Sequence, residues 1–360
     1  MHKKSFKFKV QGLKFRSNQS FQSFNFTIFG FGNFDKLSYH NQRLQFFNFS
    51  IFQFLIYIVL CSLFSVLCFG QQQDSTQLKF YEPSPTFNKK RFDAVMISEC
   101  TILTSSFIGF NELWYKNYPK SSFHFFNDNK EWLLIDKLGH AGTVYYFTGK
   151  SIDLMKWTGL KKKQAIWAGI GVGQAYLWAV EILDGYSAQW GFSPGDIIAD
   201  ASGSLFWVAQ NALWKEQRIN FKYSFHHTQF QQYRPDLLGS SWPEAFFKDY
   251  NGQSGWFSIS IGSFLKKESK IPKWLCVSIG YGAEGMIGAN ENATEYKGNP
   301  LPHFDRYPQY YLSLDLELNK IHTRYKWLNA VLKTVSLYKI PFSALEWNKK
   351  DKFIFHPLYF

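Results

Sequence analysis

Asp136 and His140 stand four residues apart in the stretch "DKLGHAGTVYYF", a spacing that puts both side chains on one face of a helix, one turn apart. Glu181 and Asp184 repeat the arrangement at three apart in "EILDG", and Asp196 and Asp200 at four apart in "GFSPGDIIAD". Each pair interrupts an apolar segment, where burying a charge is costly unless something answers it. Carboxylates and an imidazole converging from several helices make an oxygen and nitrogen ligand set for a divalent metal. They equally make an acid/base set, with His140 as the base and Asp136 or Glu181 as its partner. The catalytic candidates are therefore His140, Asp136 and Glu181. The polar-cluster or metal candidates are Asp136, His140, Glu181, Asp184, Asp196 and Asp200.

A plainer account exists for each member. Asp196 lies three residues after Ser193 and closes a capping box, Glu181 and Asp184 sit at a wet helix end before Gly185, and Lys137 neutralises an adjacent acid. The two accounts separate on geometry. A shared site needs His140 within ~10 Å of Glu181 and Asp200, the reach of one coordination sphere and its surroundings.

The elements that must carry these residues read as four apolar helices over 91–215. The first runs from Arg91 to about Lys116. The second begins at Asp128, with Glu131 three residues on as a capping box. The third spans about Lys161 to Asp184, is apolar all round, and has small residues at Ala168, Gly169, Gly171 and Gly173 that permit close helix contact. The fourth opens with Ser193 as N-cap and Pro194 at the first helical position, and continues to about Trp214.

Residues 216–250 read as a connecting segment, and from 251 to 360 the period falls from helical to two. "FSISIGSF", "WLCVSIGYG", "YLSLDLEL" and "KFIFHPLYF" are strands, with the short amphipathic helix "KWLNAVLKTVSLY" between the last two. In "YLSLDLEL", Leu312, Leu314, Leu316 and Leu318 fall on one face and Ser313, Asp315 and Glu317 on the other. Four or five strands are too few for the eight or more of a closed membrane barrel. The expected fold class is α+β: an apolar four-helix bundle followed by a β-rich region, built as an antiparallel sheet or a partial barrel.

Composition narrows the class. Aromatic residues make up 20% of the chain, which suits a protein with membrane-facing or interface-belt surface. The net charge is +13, but eight of the 40 basic residues and one of the 27 acids lie in the first 70, leaving +6 for the rest. That excess calls for no nucleic-acid partner, and the Lys161 to Lys163 run reads as a solvated or membrane-flanking helix start. Residues 51–70 form an apolar run ending in Gly70 and read as a signal peptide, with a retained anchor as the competing reading and Cys68 as a weakly supported lipidation site. Residues 71–90 are a linker, and 1–50, with 12 Phe and no stable period, are expected to be a non-native upstream extension. His226 and His227 lack metal spacing, "GIGVGQ" lacks the last glycine and the strand of a dinucleotide loop, and two cysteines after residue 70 make no disulfide framework.

Taken in order, "DKLGH", "EILDG" and "GFSPGDIIADASG" resemble the YfiM-like family of predicted periplasmic lipoproteins of unknown function and, more loosely, VanZ-like membrane proteins. The resemblance covers about Asp136 to Gln210. It marks Asp136, Lys137, His140, Glu181, Asp184, Asp196 and Asp200 as its polar positions, and Gly191, Ser193 and Gly203 as structural ones. Val180 stands where a lysine can stand in the family, so no role of that lysine carries over. The resemblance implies an envelope protein of a Gram-negative bacterium, in the periplasm or outer membrane, with the inner membrane as a further option. Membrane lipid is its expected partner, and no reaction is attached. The alternative expectation is a membrane-associated, metal-dependent hydrolase acting on a lipid or cell-wall intermediate.

Overall fold

The computed structural model describes residues 80–116, 118–266 and 268–359. The expected extension, the signal peptide, Cys61, Cys68, most of the linker and Phe360 lie outside them.

Four long helices come first. Helix α1 (Lys89–Phe110) is capped by Asn88, whose side-chain oxygen accepts from the Arg91 amide at 3.1 Å, and it runs on as a wider turn over Asn111–Tyr115. Helices α2 (Ile135–Trp157), α3 (Lys162–Gly185) and α4 (Pro194–Leu213) follow. Helix α2 is the axis of the group and packs along both α3 and α4. Small residues set the spacing: a Cβ at Gly173 would lie 2.7 Å from the Thr148 hydroxyl, and one at Gly203 would lie 2.1 Å from the Ala141 carbonyl oxygen. Helix α1 leans on α2 and α3. Val95 joins Met155 and Ala165, and Phe107 packs on Tyr176, but only Val95 and Glu99 of α1 are buried. The apolar side chains of α1 largely point outward, Ile97 and Ile108 among them.

The start of α2 departs from the capping-box expectation. Trp132, Leu133 and Leu134 take left-handed backbone angles (φ 49°, 48° and 70°), so the helix begins only at Ile135. Tertiary contacts fix this turn. Trp132 is buried with Ile135, Phe230, Leu238 and Met286, and the Leu133 carbonyl accepts from the Tyr281 hydroxyl at 2.6 Å. Asp128 is thereby released from capping.

Two short helices, α5 (Pro235–Leu238) and α6 (Trp242–Lys248), separate strand β1 (Ile219–Phe225) from β2 (Gln253–Ser260). Strands β3 (Leu275–Glu284), the small hairpin β4 (Glu295–Tyr296) and β5 (Asn299–Pro300), β6 (Tyr307–Leu316), helix α7 (Lys326–Val335), β7 (Phe342–Asn348) and β8 (Lys352–Tyr359) complete the chain. Among the described residues this gives an α+β fold of seven helices and a six-stranded antiparallel sheet, ordered β1-β2-β3-β6-β7-β8. Strand β1 comes from the segment read as a connection. Its residues Asn220, Lys222 and Ser224 alternate with Phe221 and Tyr223, a polar and aromatic alternation that a search for apolar runs passes over.

The sheet is strongly curled. Lys222 of β1 reaches Asp315 of β6 at 2.9 Å, although the two strands are three places apart, ~14 Å in a flat sheet. The hydroxyl of Tyr359 in β8 likewise meets Ser254 in β2 at 3.1 Å. The free edge of β1 is covered too, since Tyr223 exchanges backbone hydrogen bonds of 2.9 Å with Leu337 and Lys339. The inside of the curl carries polar residues, with Lys222, Ser258, Ser278 and Asp315 all fully buried, beside an aromatic cluster of Trp256, Tyr311 and Tyr359. The outside is apolar, with Leu312 at 51% exposure, Leu314 at 49% and Phe353 at 69%. The period-two reading of "YLSLDLEL" therefore holds as far as Leu316, where the strand ends, with Ser313 and Asp315 inside and Leu312 and Leu314 outside, whereas Leu318 is buried in the turn that follows.

Gly203→Val is expected to cost on the order of 1–3 kcal/mol, because the added carbons must push α4 off the Ala141 backbone. Thermal unfolding of the purified protein checks this, and Gly171→Ala, where nothing lies within 4 Å of an added Cβ, serves as the control that should lose no stability.

Candidate functional site

The first turns of α2, the end of α3 and the first turns of α4 meet at one end of the helix group, and their polar residues form one network. His140 is its centre. Its Nδ1 lies 3.1 Å from Asp200 Oδ1, and its Nε2 lies 3.7 Å from Glu181 Oε1 and 3.8 Å from Asp196 Oδ1. The distance condition for a shared site is thus met by direct contact. Lys137, one residue after Asp136, supplies the second cation: Nζ is 2.6 Å from Asp128, 2.8 Å from Asp196 and 3.3 Å from Asp136.

Backbone and hydroxyl groups hold the carboxylates in place. The Ser193 amide donates to Glu181 at 2.9 Å, and its hydroxyl donates to Asp128 at 2.6 Å. That hydroxyl also accepts from the Asp196 amide at 3.1 Å, so Ser193 is the N-cap of α4 and a hub of the network at once. The Asp196 side chain turns to Lys137 and closes no capping box. Gly191 passes close to Phe126 and His124, where a Cβ would lie 2.5 Å from Phe126. On the far side, the Gln174 amide donates to the Asp200 carbonyl and the Ser204 hydroxyl, both at 2.9 Å, tying α3 to α4.

Asp184 stands apart from the imidazole. It is half-buried and hydrogen-bonded to Tyr115, which follows α1. Three participants were not among the sequence candidates: Asp128, Tyr250 and Tyr115. The Tyr250 hydroxyl donates to Asp136 at 2.8 Å and comes from the approach to β2, more than 100 residues further on. No local signal marks it. Asp128 carried a signal that pointed to a different role.

The electrostatics follow from burial. Glu181, Asp196 and Asp200 are at most 2% exposed, and six acids share two cations. Burial pushes Asp196 up to about 7, with Asp136 adding to the effect and His140 and Lys137 opposing it. Burial also raises Asp200, against the pull of its bond to His140. For His140 burial works the other way, but the Asp200 hydrogen bond and the charges of Asp136, Asp196 and Asp200 outweigh it and hold the imidazolium up to about 10. Lys137 is raised too, because Asp136, Asp196 and Asp128 more than offset its desolvation. The cluster thus keeps both cations charged at neutral pH. One ligand atom each from Asp136, His140 and Asp196 lies within 4.8 Å of the others, which makes these three the residues that would hold a metal ion.

A charged imidazole and ammonium, clamped among carboxylates from three helices, define the site, and a family likeness attaches to this region. Residues 124–212 match the family model described as "Predicted periplasmic lipoprotein (DUF2279)". The match covers about a quarter of the 360-residue chain and contains all three motifs and Asp128. The likeness drawn from the motifs is therefore correct for this segment, and it agrees with a place in the cell envelope. No curated protein and no solved structure matches the chain.

The shifts set a direction for stability against pH. His140 is raised from an ordinary 6.5 to about 10, so its contribution is complete below about 6.5 and disappears as pH rises through about 10. Asp196, raised from 3.8 to about 7, weakens the fold in the same direction at lower pH. In chelator-containing buffer the melting temperature is expected to fall steadily from pH 6 to pH 10. His140→Gln should lower stability on the order of 3–5 kcal/mol at pH 6 and flatten the slope above pH 7.5. Melts across that range, recorded for both proteins, check it.

Proposed function

We propose that the protein is an exported envelope protein of a Gram-negative bacterium that sits against a lipid surface, with the Asp/His/Glu cluster acting as a structural clamp inside its helices. The observation that carries the reading is the inversion of the sheet. A sheet in water hides its apolar face, whereas a sheet in lipid shows an apolar outer band and keeps polar residues inside. Here Lys222 and Asp315 are inside, and Leu312, Leu314, Phe353 and Phe355 are outside, with Tyr310 and Trp347 beside them as interfacial aromatics.

Two further features agree. Helix α7 presents Trp327, Val331 and Val335 outward and buries none of its residues, and its Lys333 pairs with Asp153. Helices α1 and α3 are long and apolar enough to cross a membrane by length and composition. In this reading α1 is the fourth helix of the bundle and turns Ile97, Ile102 and Ile108 to lipid.

Fractionation into inner membrane, outer membrane and soluble periplasm tests the proposal. The protein is expected in a membrane fraction after an alkaline wash, and recovery in the soluble periplasm would overturn it. Leu312→Arg adds a sharper test. On a water-facing surface it would change stability by less than about 0.5 kcal/mol. Facing the lipid midplane it would cost on the order of 2–4 kcal/mol, read as loss of folded protein in vesicles.

A second reading, a metal-dependent hydrolase acting on a lipid or cell-wall intermediate, draws on the convergence of Asp136, His140 and Asp196. In it these three are metal ligands, Asp200 orients the imidazole, and Glu181 faces Nε2 as the acid or base. Lys137 weighs against it, because its ammonium already neutralises Asp128 and Asp196 where an ion would compete. Metal analysis decides between the readings. The clamp predicts protein free of stoichiometric divalent metal, whereas the hydrolase predicts one ion per chain, lost in folded His140→Ala.

A further inference from the structure

A second polar site lies at the opposite end of α2. A cavity of about 530 Å³ opens between α2, α4, the start of β1 and the segment leading into α7, and its lining includes Lys150, Lys156, Lys215, Asn220, Glu317 and Lys333. Its size is that of a small-molecule site. We propose that this cavity binds a phosphate-bearing anion, with Lys150 and Lys156 on the phosphate oxygens and the Asn220 amide as a further donor.

The argument begins with what the lining cations lack. Among the described residues, no carboxylate lies within 4.0 Å of Lys150, Lys156 or Lys215. The three acids that line the cavity are engaged elsewhere. Asp153 pairs with Lys333 at 2.5 Å, Glu216 with Arg218 at 3.1 Å and Lys273 at 3.6 Å, and Glu317 faces Lys222 at 3.7 Å. Burial pushes Lys150 down to about 8 and Lys333 adds to the effect, against the opposing charges of Asp153 and Glu317. Its ammonium has one acceptor, the Lys333 carbonyl at 2.7 Å, which leaves two of its three donors free. Lys156 has only the face of Trp207, 5.8 Å away.

Asn220 supplies an independent observation. It is 6% exposed and its Nδ2 donor has no partner, although a buried amide donor is normally satisfied. Two ammonium groups from α2 and an orphan amide donor from β1, lining one cavity, are the complement of an oxyanion.

The phosphate chemistry stands without the lipid reading, but a lipid headgroup as its source rests on that reading. Helix α7 connects the two: Asn329 and Lys333 line the cavity, while Trp327 and Val331 turn outward where acyl chains would lie. The test uses full-length protein in a non-ionic detergent, with binding read by native mass spectrometry and titration calorimetry. The probes are dihexanoyl phosphatidylglycerol, dihexanoyl phosphatidylcholine, glycerol 3-phosphate and inorganic phosphate. At least one anionic probe is expected to saturate at one per chain. The Lys150→Gln, Lys156→Gln double variant should bind it at least tenfold more weakly. Asn220→Asp, which keeps the side-chain shape, should weaken it comparably if the double variant does not fold. Lys297→Gln, outside the cavity, should leave binding unchanged.

Saturation by phosphatidylglycerol alone supports the proposal with lipid as the source. Equal binding of glycerol 3-phosphate supports it with a soluble phosphate ester as the source. Failure of all anionic probes to saturate, or affinity unchanged in Asn220→Asp, overturns it. Fractionation reports on the lipid reading separately, so the two failures are distinguishable.

Discussion

The contact on which the rest of the structure depends is the pairing of Lys137 and His140 with carboxylates from outside their own helix. Lys137 holds Asp128 before α2 and Asp196 in α4, and His140 holds Asp200 in α4 and faces Glu181 in α3. Removing either cation leaves several buried acids unanswered, which costs far more than the pair contributes beyond an apolar substitute. The network is thus a weak source of stability and a strong source of specificity. It fixes the rotation of three helices whose surfaces are otherwise apolar on most sides and could pack in other registers. Through Tyr250 and Asp136 it also ties the helices to the strand region.

The same logic recurs in the sheet. Lys222 is fully buried and pairs with Asp315, which accepts from Ser258 and from the Ile340 amide at 3.0 Å. Further along, Glu346 gathers Gln309 at 2.9 Å, Asn348 at 2.6 Å and His356 at 2.7 Å. A polar interior of this kind is satisfied by closure of the curl, around a buried aromatic cluster of Trp256, Tyr311 and Tyr359. The apolar residues are thereby left for the outside, and one arrangement explains both the buried charge and the exposed leucines and phenylalanines.

Much of this was legible in the sequence because it is periodic. The apolar runs located the four long helices, Ser193-Pro194 located the start of α4 to the residue, and the i, i+4 pairs indicated which faces would meet. Other features follow from contacts distant in the chain. The left-handed turn at Trp132 to Leu134 is held by Phe230, Met286 and Tyr281, none of which is near in sequence. Strand β1 is not apparent from apolar runs because three of its four buried residues, Asn220, Lys222 and Ser224, are polar and mark a core only once their partners are known. Alternation in "YLSLDLEL" gave the period but not the sign. Period two says that two faces differ, and only the curl of the sheet decides which is inside.

Helix α2 shows how the two polar sites relate. Asp136, Lys137 and His140 stand at its first turns, while Lys150, Asp153 and Lys156 lie in its last third, on the order of 20 Å along the axis at the usual rise per residue. A cation near a helix C-terminus complements the backbone dipole and one near the N-terminus opposes it, so Lys137 and His140 are held by the surrounding carboxylates and not by their own helix. The carboxylates at the first turns are answered from within the protein, Asp128 and Asp196 by Lys137 and Asp200 by His140, and that is why this end closes on itself.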